Sequence, residues 1–124
     1  WKSNLEEGVQ SNDILYKKIN NGWMPPHTTL FIRKSLLKDV GYYDENLKIS
    51  GDYDFIIRLF QKNNLKIFYL NRFTVKMRAG GISNKNIKNI FIKMNEDFSV
   101  MKKFKFNAIK TLIIKNLSKI SQFF

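Results

Sequence analysis

The chain has 124 residues, of which 44% are hydrophobic, and it contains no cysteine. This length supports one domain with a core but is short for an enzyme that binds two substrates, so we expect one compact, incomplete unit. The lack of cysteine excludes disulfides, thiolate metal sites and a cysteine nucleophile. Lys or Asn interrupts every apolar run, so no segment reaches the roughly 18 apolar residues of a membrane-spanning helix.

The charge is unevenly distributed along the chain. Lys and Arg number 22 against 10 Asp and Glu, a formal net charge of +12, which is typical of proteins with an anionic partner. Residues 1–75 hold 11 basic and 8 acidic side chains, whereas residues 76–124 hold 11 basic and only 2 acidic ones, Glu96 and Asp97. The C-terminal third therefore carries the anion-attracting surface.

The first predicted elements are a helix and a strand. Residues 13–19 have a helical pattern, and Asn20–Gly22 ends it with residues that tolerate positive φ. Pro25 and Pro26 then favour an extended chain. The following segment, 27–33, is rich in β-branched and aromatic residues and predicts a buried strand.

Ser35 is the predicted N-cap of a short helix that ends near Gly41. Apolar side chains at helical spacing predict a second helix over residues 52–62. Two short strands are predicted at 66–70 and 73–77. This order of elements indicates a mixed α/β layer.

The C-terminal part is predicted to be helical. Apolar side chains recur every three or four residues over 84–104, and a last helix is expected over 106–120. We therefore expect an α/β unit with a mixed sheet, followed by a helical C-terminal appendix.

Three stretches, taken together, resemble the second half of family 2 glycosyltransferases. They are Trp23–Lys34, Gly41–Leu59 with its Ser50-Gly-Asp-Tyr-Asp54 core, and Val75–Ser83. The resemblance implies a GT-A fold, in which one half binds the nucleotide and the other supplies the acceptor site and a base. On this basis residues 1–83 form the acceptor-side part, residues 84–124 form a basic amphipathic appendix, and the nucleotide-binding half is absent.

Asp52-Tyr53-Asp54 is itself an Asp-x-Asp sequence, which in this family is also the pattern of the metal motif. That motif ends an apolar strand, whereas here Lys48–Gly51 precedes and a helical pattern follows. By resemblance Asp52 matches the catalytic base, and Asp54 is a substrate-binding candidate in the first helical turn, where carboxylates are favoured. Spacing alone favours an N-capping Asp52 with Asp54 as a helix-dipole partner, and the flanking motifs reverse that preference.

Three further residues are substrate-binding candidates. By resemblance His27, the sole histidine, begins a strand that faces the active site, although a satisfied core histidine fits the pattern equally. Arg78 and Ser83 suit contacts to a departing diphosphate, because guanidinium matches phosphate geometry and a glycine-rich turn exposes backbone amides. A solvated Arg78 after an edge strand is the alternative. Many relatives have a metal-ligating histidine where this chain has Gly80, so we expect no metal ligand here.

The resemblance implies inverting transfer, of the hexosyltransferase type, from a nucleotide-sugar donor to a saccharide or polyprenyl-diphosphate-linked acceptor. Such reactions belong to bacterial polysaccharide biosynthesis, for example of lipopolysaccharide or capsule. The full enzyme is expected to use Mn²⁺ or Mg²⁺, with ligands mostly in the missing half. The expected location is the cytoplasm or the inner face of its membrane, and the fragment alone is expected to be inactive.

The segment 105–124 combines an apolar stripe with surrounding lysines, as helices at an anionic membrane surface do. An ordinary helix packed on the missing half fits the stripe equally. A basic module that binds membrane or nucleic acid without catalysis is the alternative function. No nucleic-acid-binding motif is present, so we expect no nucleic-acid partner.

Overall fold

A computed structural model of the chain describes residues 8–10, 12–76, 86–107, 111 and 113. This described part is helix-rich and contains one small two-stranded ribbon. The elements are β1 (Gly8–Gln10), α1 (Asn12–Asn20), α2 (Lys34–Val40), α3 (Gly51–Phe60), β2 (Ile67–Tyr69) and α4 (Ile87–Lys103).

Helix α3 is the centre of the fold, and α1, α2 and α4 each contact it. Eight of its ten residues are buried, as expected for a helix that is apolar on nearly every side. Helices α1 and α4, together with Phe106 after the end of α4, supply the rest of one continuous core. The buried hydrophobic residues are Leu15, Ile19, Tyr53, Phe55, Ile56, Ile57, Leu59, Phe60, Val100, Met101 and Phe106.

The predicted mixed sheet is not present in the part of the chain that the structure describes. Strand β1 pairs antiparallel with β2 alone, with Gly8 opposite Tyr69. The strand predicted at 66–70 is thus confirmed as β2, whereas residues 73–76 form no strand and residue 77 lies outside the described residues.

The strand predicted at 27–33 is wrong. His27–Thr29 forms a 3-10 turn, and residues 30–33 continue without strand pairing. The backbone N–H and the hydroxyl of Thr29 both donate to the carbonyl of Pro26, at 3.0 and 2.8 Å. These local hydrogen bonds compete with an extended conformation and place His27 on a turn.

Helices α1 and α2 end where the sequence predicts. Gly22, at φ +87°, follows α1, and the N–H of Trp23 donates back to the carbonyl of Lys18, which satisfies the last turn. Gly41, at φ +82°, ends α2. The predicted cap at Ser35 is wrong, because α2 begins at Lys34 and the extended Arg33 occupies the N-cap position.

Helix α4 confirms the helix predicted over 84–104, although its described part begins at Ile87. The side chain of Asn86 caps it by accepting the N–H of Asn89 at 2.8 Å. At its end Lys105 has φ +57°, and the N–H of Phe106 donates to the carbonyl of Met101 at 2.9 Å. This turn returns Phe106 to the core.

The predicted helix over 106–120 is described only at its beginning. Phe106 and Asn107 are not helical, Thr111 and Ile113 are, and the remainder lies outside the described residues. The division predicted at 83/84 also falls outside them. Since α4 and Phe106 share the core of α1 and α3, the described residues on both sides of that point form one packed unit.

Candidate active site

The structure brings together two residues that the sequence analysis selected separately, His27 and Asp52. His27 Nδ1 lies 3.0 Å from Asp52 Oδ2, and the two side chains are 46% and 25% exposed. Asp52 is the second residue of α3, after the N-cap Ser50, so the N-cap interpretation of Asp52 is wrong. The pair lies at the N-terminal end of the central helix.

Asp52 retains capacity to accept another proton donor. Its Oδ1 accepts the N–H of Tyr53 at 2.8 Å, and its Oδ2 faces His27. An ionised carboxylate has about four acceptor positions, so positions remain on both oxygens. The side chain is partly exposed and already oriented by two contacts, which is the geometry that a general base requires.

Asp54 occupies a different environment two residues further on. Its side chain is fully buried, with Oδ2 2.7 Å from Arg58 Nε and Oδ1 2.7 Å from Lys103 Nζ. A buried carboxylate persists only when cations and hydrogen bonds compensate its lost hydration. Both oxygens are committed to the protein itself, so we remove Asp54 from the candidate substrate contacts.

Arg58, which pairs with Asp54, also connects α3 to the end of α2. Its Nη2 donates to the carbonyl of Tyr42 at 2.7 Å, and its Nη1 donates to the carbonyl of Val40. The guanidinium plane lies 5.5 Å from the centre of the Phe55 ring. Arg58 thus fixes the position of Asp54 from the outside.

The segment before α3 is held by α4 through two residues that sequence reasoning gave no role, Glu96 and Asp97. Glu96 accepts the backbone N–H groups of all three residues of segment 48–50, and Asp97 accepts the hydroxyl of Ser50 at 2.6 Å. We call this arrangement the 48–50 clamp. The available signal was that these are the only two acidic residues after position 75.

The 48–50 clamp shifts the ionisation of Glu96. Burial raises the pKa of Glu96, but the N–H donors of Ser50, Ile49 and Lys48 together lower it more, so the net pKa lies below its usual value of 4.5. Hydrogen bonds to the charged form have this effect. Burial also raises the pKa of Tyr53, and the negative charge of Asp97 raises it further.

Two other candidate residues, Arg78 and Ser83, lie outside the described residues. Within the described ranges no group of three or more His, Cys, Asp or Glu side chains is placed to hold a metal ion. In the same ranges no helix has the length and apolar character needed to cross a membrane.

One side of α4 exposes apolar side chains instead of burying them. Its acidic residues turn toward segment 48–50, so the charged side chains left at its surface are lysines. We call the exposed side the α4 stripe. It consists of Ile87, Ile90, Phe91, Met94 and Phe98, which are between 43% and 73% exposed. An apolar stripe of this length on a helix indicates a surface that another body covers.

Comparison with protein-family models, with curated proteins and with solved structures finds no match to this chain.

Proposed function

We propose that this chain provides the acceptor side of an inverting glycosyltransferase, with Asp52 as the general base. The pairing of Asp52 with His27 at the start of α3 is the observation that carries the proposal. Asp52 combines partial exposure, unused acceptor positions and a fixed orientation. Asp54, the other acidic residue of this turn, is enclosed by cations and lacks these properties.

In the proposed reaction an acceptor hydroxyl attacks the anomeric carbon of a nucleotide sugar. The new carbon–oxygen bond forms as the bond to the diphosphate breaks, and the hydroxyl proton passes to the carboxylate of Asp52. General base catalysis of this kind contributes about 10²- to 10⁴-fold to the rate. His27 holds Oδ2 of Asp52 and, being almost half exposed, is available for contact with the acceptor.

The proposal places the remaining parts of the reaction outside the described residues. The nucleotide sugar and the divalent cation that the resemblance implies bind to the other half of a GT-A fold, and the acceptor is a saccharide or a lipid-linked saccharide. Ribbon β1–β2 is the element from which a larger mixed sheet would extend, because its two strands pair with no further strand among the described residues.

The test is transfer from a panel of nucleotide sugars to a lipid-linked acceptor by the full protein, comparing wild type with Asp52→Asn. We expect turnover to fall at least about a hundredfold while donor binding is retained. Asp39→Asn is the matched control, since Asp39 is an exposed carboxylate paired with Lys62 at the other end of α3. Turnover by Asp52→Asn close to that of the control would remove Asp52 from the mechanism.

His27→Gln provides a second test of the pair. Because His27 acts through Asp52, we expect a smaller loss of turnover, and we expect the double variant to be no slower than Asp52→Asn alone. Additive losses in the double variant would show that the two residues act separately.

We also propose that the full protein binds the surface of an anionic membrane. The α4 stripe favours this, because it combines five exposed apolar side chains with lysines and with no outward acidic residue. The basic segment 105–124 adds charge of the same sign. Most of its side chains lie outside the described residues.

Sedimentation with vesicles of phosphatidylcholine and phosphatidylglycerol tests membrane binding. We expect the full protein to bind at low salt, and we expect the Phe91→Ser, Met94→Ser double variant to bind several-fold less. Phe68→Ser is the control, since Phe68 is an apolar side chain that is 63% exposed on β2 and not part of the α4 stripe. Equal binding by both variants and wild type would exclude the α4 stripe as the contact.

A further inference from the structure

The 48–50 clamp joins two elements that are distant in the sequence at the point where α3 begins. Glu96 Oε1 accepts the N–H of Lys48 at 2.9 Å, and Glu96 Oε2 accepts those of Ile49 and Ser50, both at 2.8 Å. One side chain thus satisfies three consecutive backbone donors that precede the helix. A charge-assisted hydrogen bond is roughly twice as strong as a neutral one, so this is a stiff connection.

Asp97 extends the clamp to the N-cap residue. Its Oδ1 accepts the hydroxyl of Ser50 at 2.6 Å, and its Oδ2 lies 2.8 Å from Lys93 Nζ. Ser50 does not use its hydroxyl to cap α3, although serine at this position usually does so. The hydroxyl is instead committed to α4, and both Ser50 and Asp97 are buried.

The clamp ends two residues before Asp52. The backbone of Ser50 and Gly51 determines where α3 starts, and the start of α3 determines which way the carboxylate of Asp52 points. A displacement of about 1 Å in a catalytic group can cost about a hundredfold in rate. The orientation of the Asp52 carboxylate toward His27 therefore depends on the carboxylates of Glu96 and Asp97.

We propose that Glu96 and Asp97 are positioning residues that hold Asp52 in its reactive orientation beside His27. This inference rests on the proposed function for its effect on turnover, but the physical coupling between α4 and the pair is measurable by itself. The contribution of α4 to the core is separate, because that is made one turn later by Val100 and Met101.

The first measurement is independent of activity. In the full protein, Glu96→Gln keeps the size of the side chain but replaces one acceptor oxygen by a donating amide. We expect the amides of Lys48–Ser50 to exchange with solvent at least tenfold faster, and we expect the ring ¹⁵N signal of His27 to shift. His27 is the only histidine of the 124-residue sequence, and its loss in the spectrum of His27→Gln assigns the signal in the full protein. Unchanged exchange, or faster exchange with an unmoved His27 signal, would overturn the proposal.

The second measurement is the division between turnover and KM. We expect Glu96→Gln to lower kcat at least about tenfold with the donor KM unchanged. Val100→Ala is the matched control, because it removes a buried side chain from the same helix and leaves the hydrogen bonds of Glu96 and Asp97 to segment 48–50 in place. It should lower the melting temperature while leaving kcat unchanged in the folded protein. Equal loss of kcat in both variants would reduce the clamp to a general packing role and overturn the proposal.

Ser50→Ala keeps the inference testable if Glu96→Gln does not fold. It removes only the hydroxyl contact to Asp97, and we expect the same changes at smaller amplitude; an unmoved His27 signal in this variant would also overturn the proposal. Failure of the proposed function looks different. In that case Asp52→Asn turns over normally, yet Glu96→Gln still shifts the His27 signal.

Discussion

The two sides of the first turn of α3 carry the same chemical group in opposite environments. On the outer side Asp52 is partly exposed and meets a histidine on a turn, whereas on the inner side Asp54 is fully buried between Arg58 and Lys103. The difference shows that the two carboxylates of one Asp-x-Asp sequence can have separate structural and chemical roles. The buried carboxylate of Asp54 holds α3 between α2 and α4, and the exposed carboxylate of Asp52 remains available for chemistry.

Burial of Asp54 on the inner side carries a desolvation cost that Asp52 on the outer side does not have. A buried carboxylate loses its hydration, and only the paired cations and their hydrogen bonds compensate for that loss. The outer side needs no such compensation, because solvent still reaches it. Substitutions should therefore affect stability on the inner side and turnover on the outer side.

The largest expected effect separates the two residues directly. We expect Asp54→Asn to lower the free energy of unfolding by about 3 to 5 kcal/mol, because Arg58 and Lys103 lose the charge that they compensate. We expect Asp52→Asn to change it by less than about 1 kcal/mol, the usual range for an exposed ion pair. Urea unfolding of both variants measures this. Equal losses would erase the distinction between the two sides.

Gly41→Ala tests the outer support of Asp54. Gly41 has φ +82°, and a Cβ atom there would lie 3.2 Å from Arg58 Nη1. We expect a loss of about 1 to 2 kcal/mol from backbone strain, with a further loss if Arg58 shifts. Gly22→Ala carries similar strain at φ +87° without involving Arg58, so the difference in unfolding free energy isolates the displaced guanidinium. No difference would show that Arg58 adapts.

Acid should weaken the 48–50 clamp, which holds the segment directly before both Asp52 and Asp54. The pKa of Glu96 is lower in the folded protein than its usual value of 4.5, so its contribution is present above that value and is lost as pH falls through the folded pKa. The negative charge of Asp97 opposes this lowering of the Glu96 pKa. We expect the stability difference between wild type and Glu96→Gln to narrow from about pH 6 to pH 3 in urea unfolding. A constant difference would contradict this.

The smallest expected change in unfolding free energy concerns the C-terminal end of α4, where Lys103 pairs with Asp54. Lys105 has φ +57°, which a side chain disfavours, so Lys105→Gly should raise the unfolding free energy by about 1 kcal/mol or less. Lys102→Gly, within regular helix, should lower it by about 1 kcal/mol. Thermal unfolding of the two variants should therefore show shifts of opposite sign. Shifts of the same sign would show that Lys105 contributes more by contact than its backbone costs.

Local patterns were sufficient to predict most helices of the described part. Apolar spacing located α1, α3 and α4, and the glycines that follow α1 and α2 marked their ends, because positive φ is a property of single residues. A local pattern was not sufficient for segment 27–33. Its β-branched residues favour a strand, but a strand also needs a partner, and the Pro26 carbonyl closes a turn first.

The candidate site was predictable only in part. Asp52 and His27 were selected from the resemblance, yet nothing in the sequence shows that they meet. The burial of Asp54 depends on Lys103, and the clamp on Glu96, both more than forty positions away. The partners of Glu96 are backbone amides, which every residue type except proline possesses, so side-chain patterns carry no record of them.

Ribbon β1–β2 has a consequence for the order in which the molecule assembles. Its two strands are three residues long and pair Gly8 with Tyr69, so they close a loop of about sixty residues around α1, α2 and α3. Closing so long a loop costs entropy that a few strand hydrogen bonds barely offset. The helices should therefore pack on α3 before β1 pairs with β2, and on unfolding this strand pairing should be lost first.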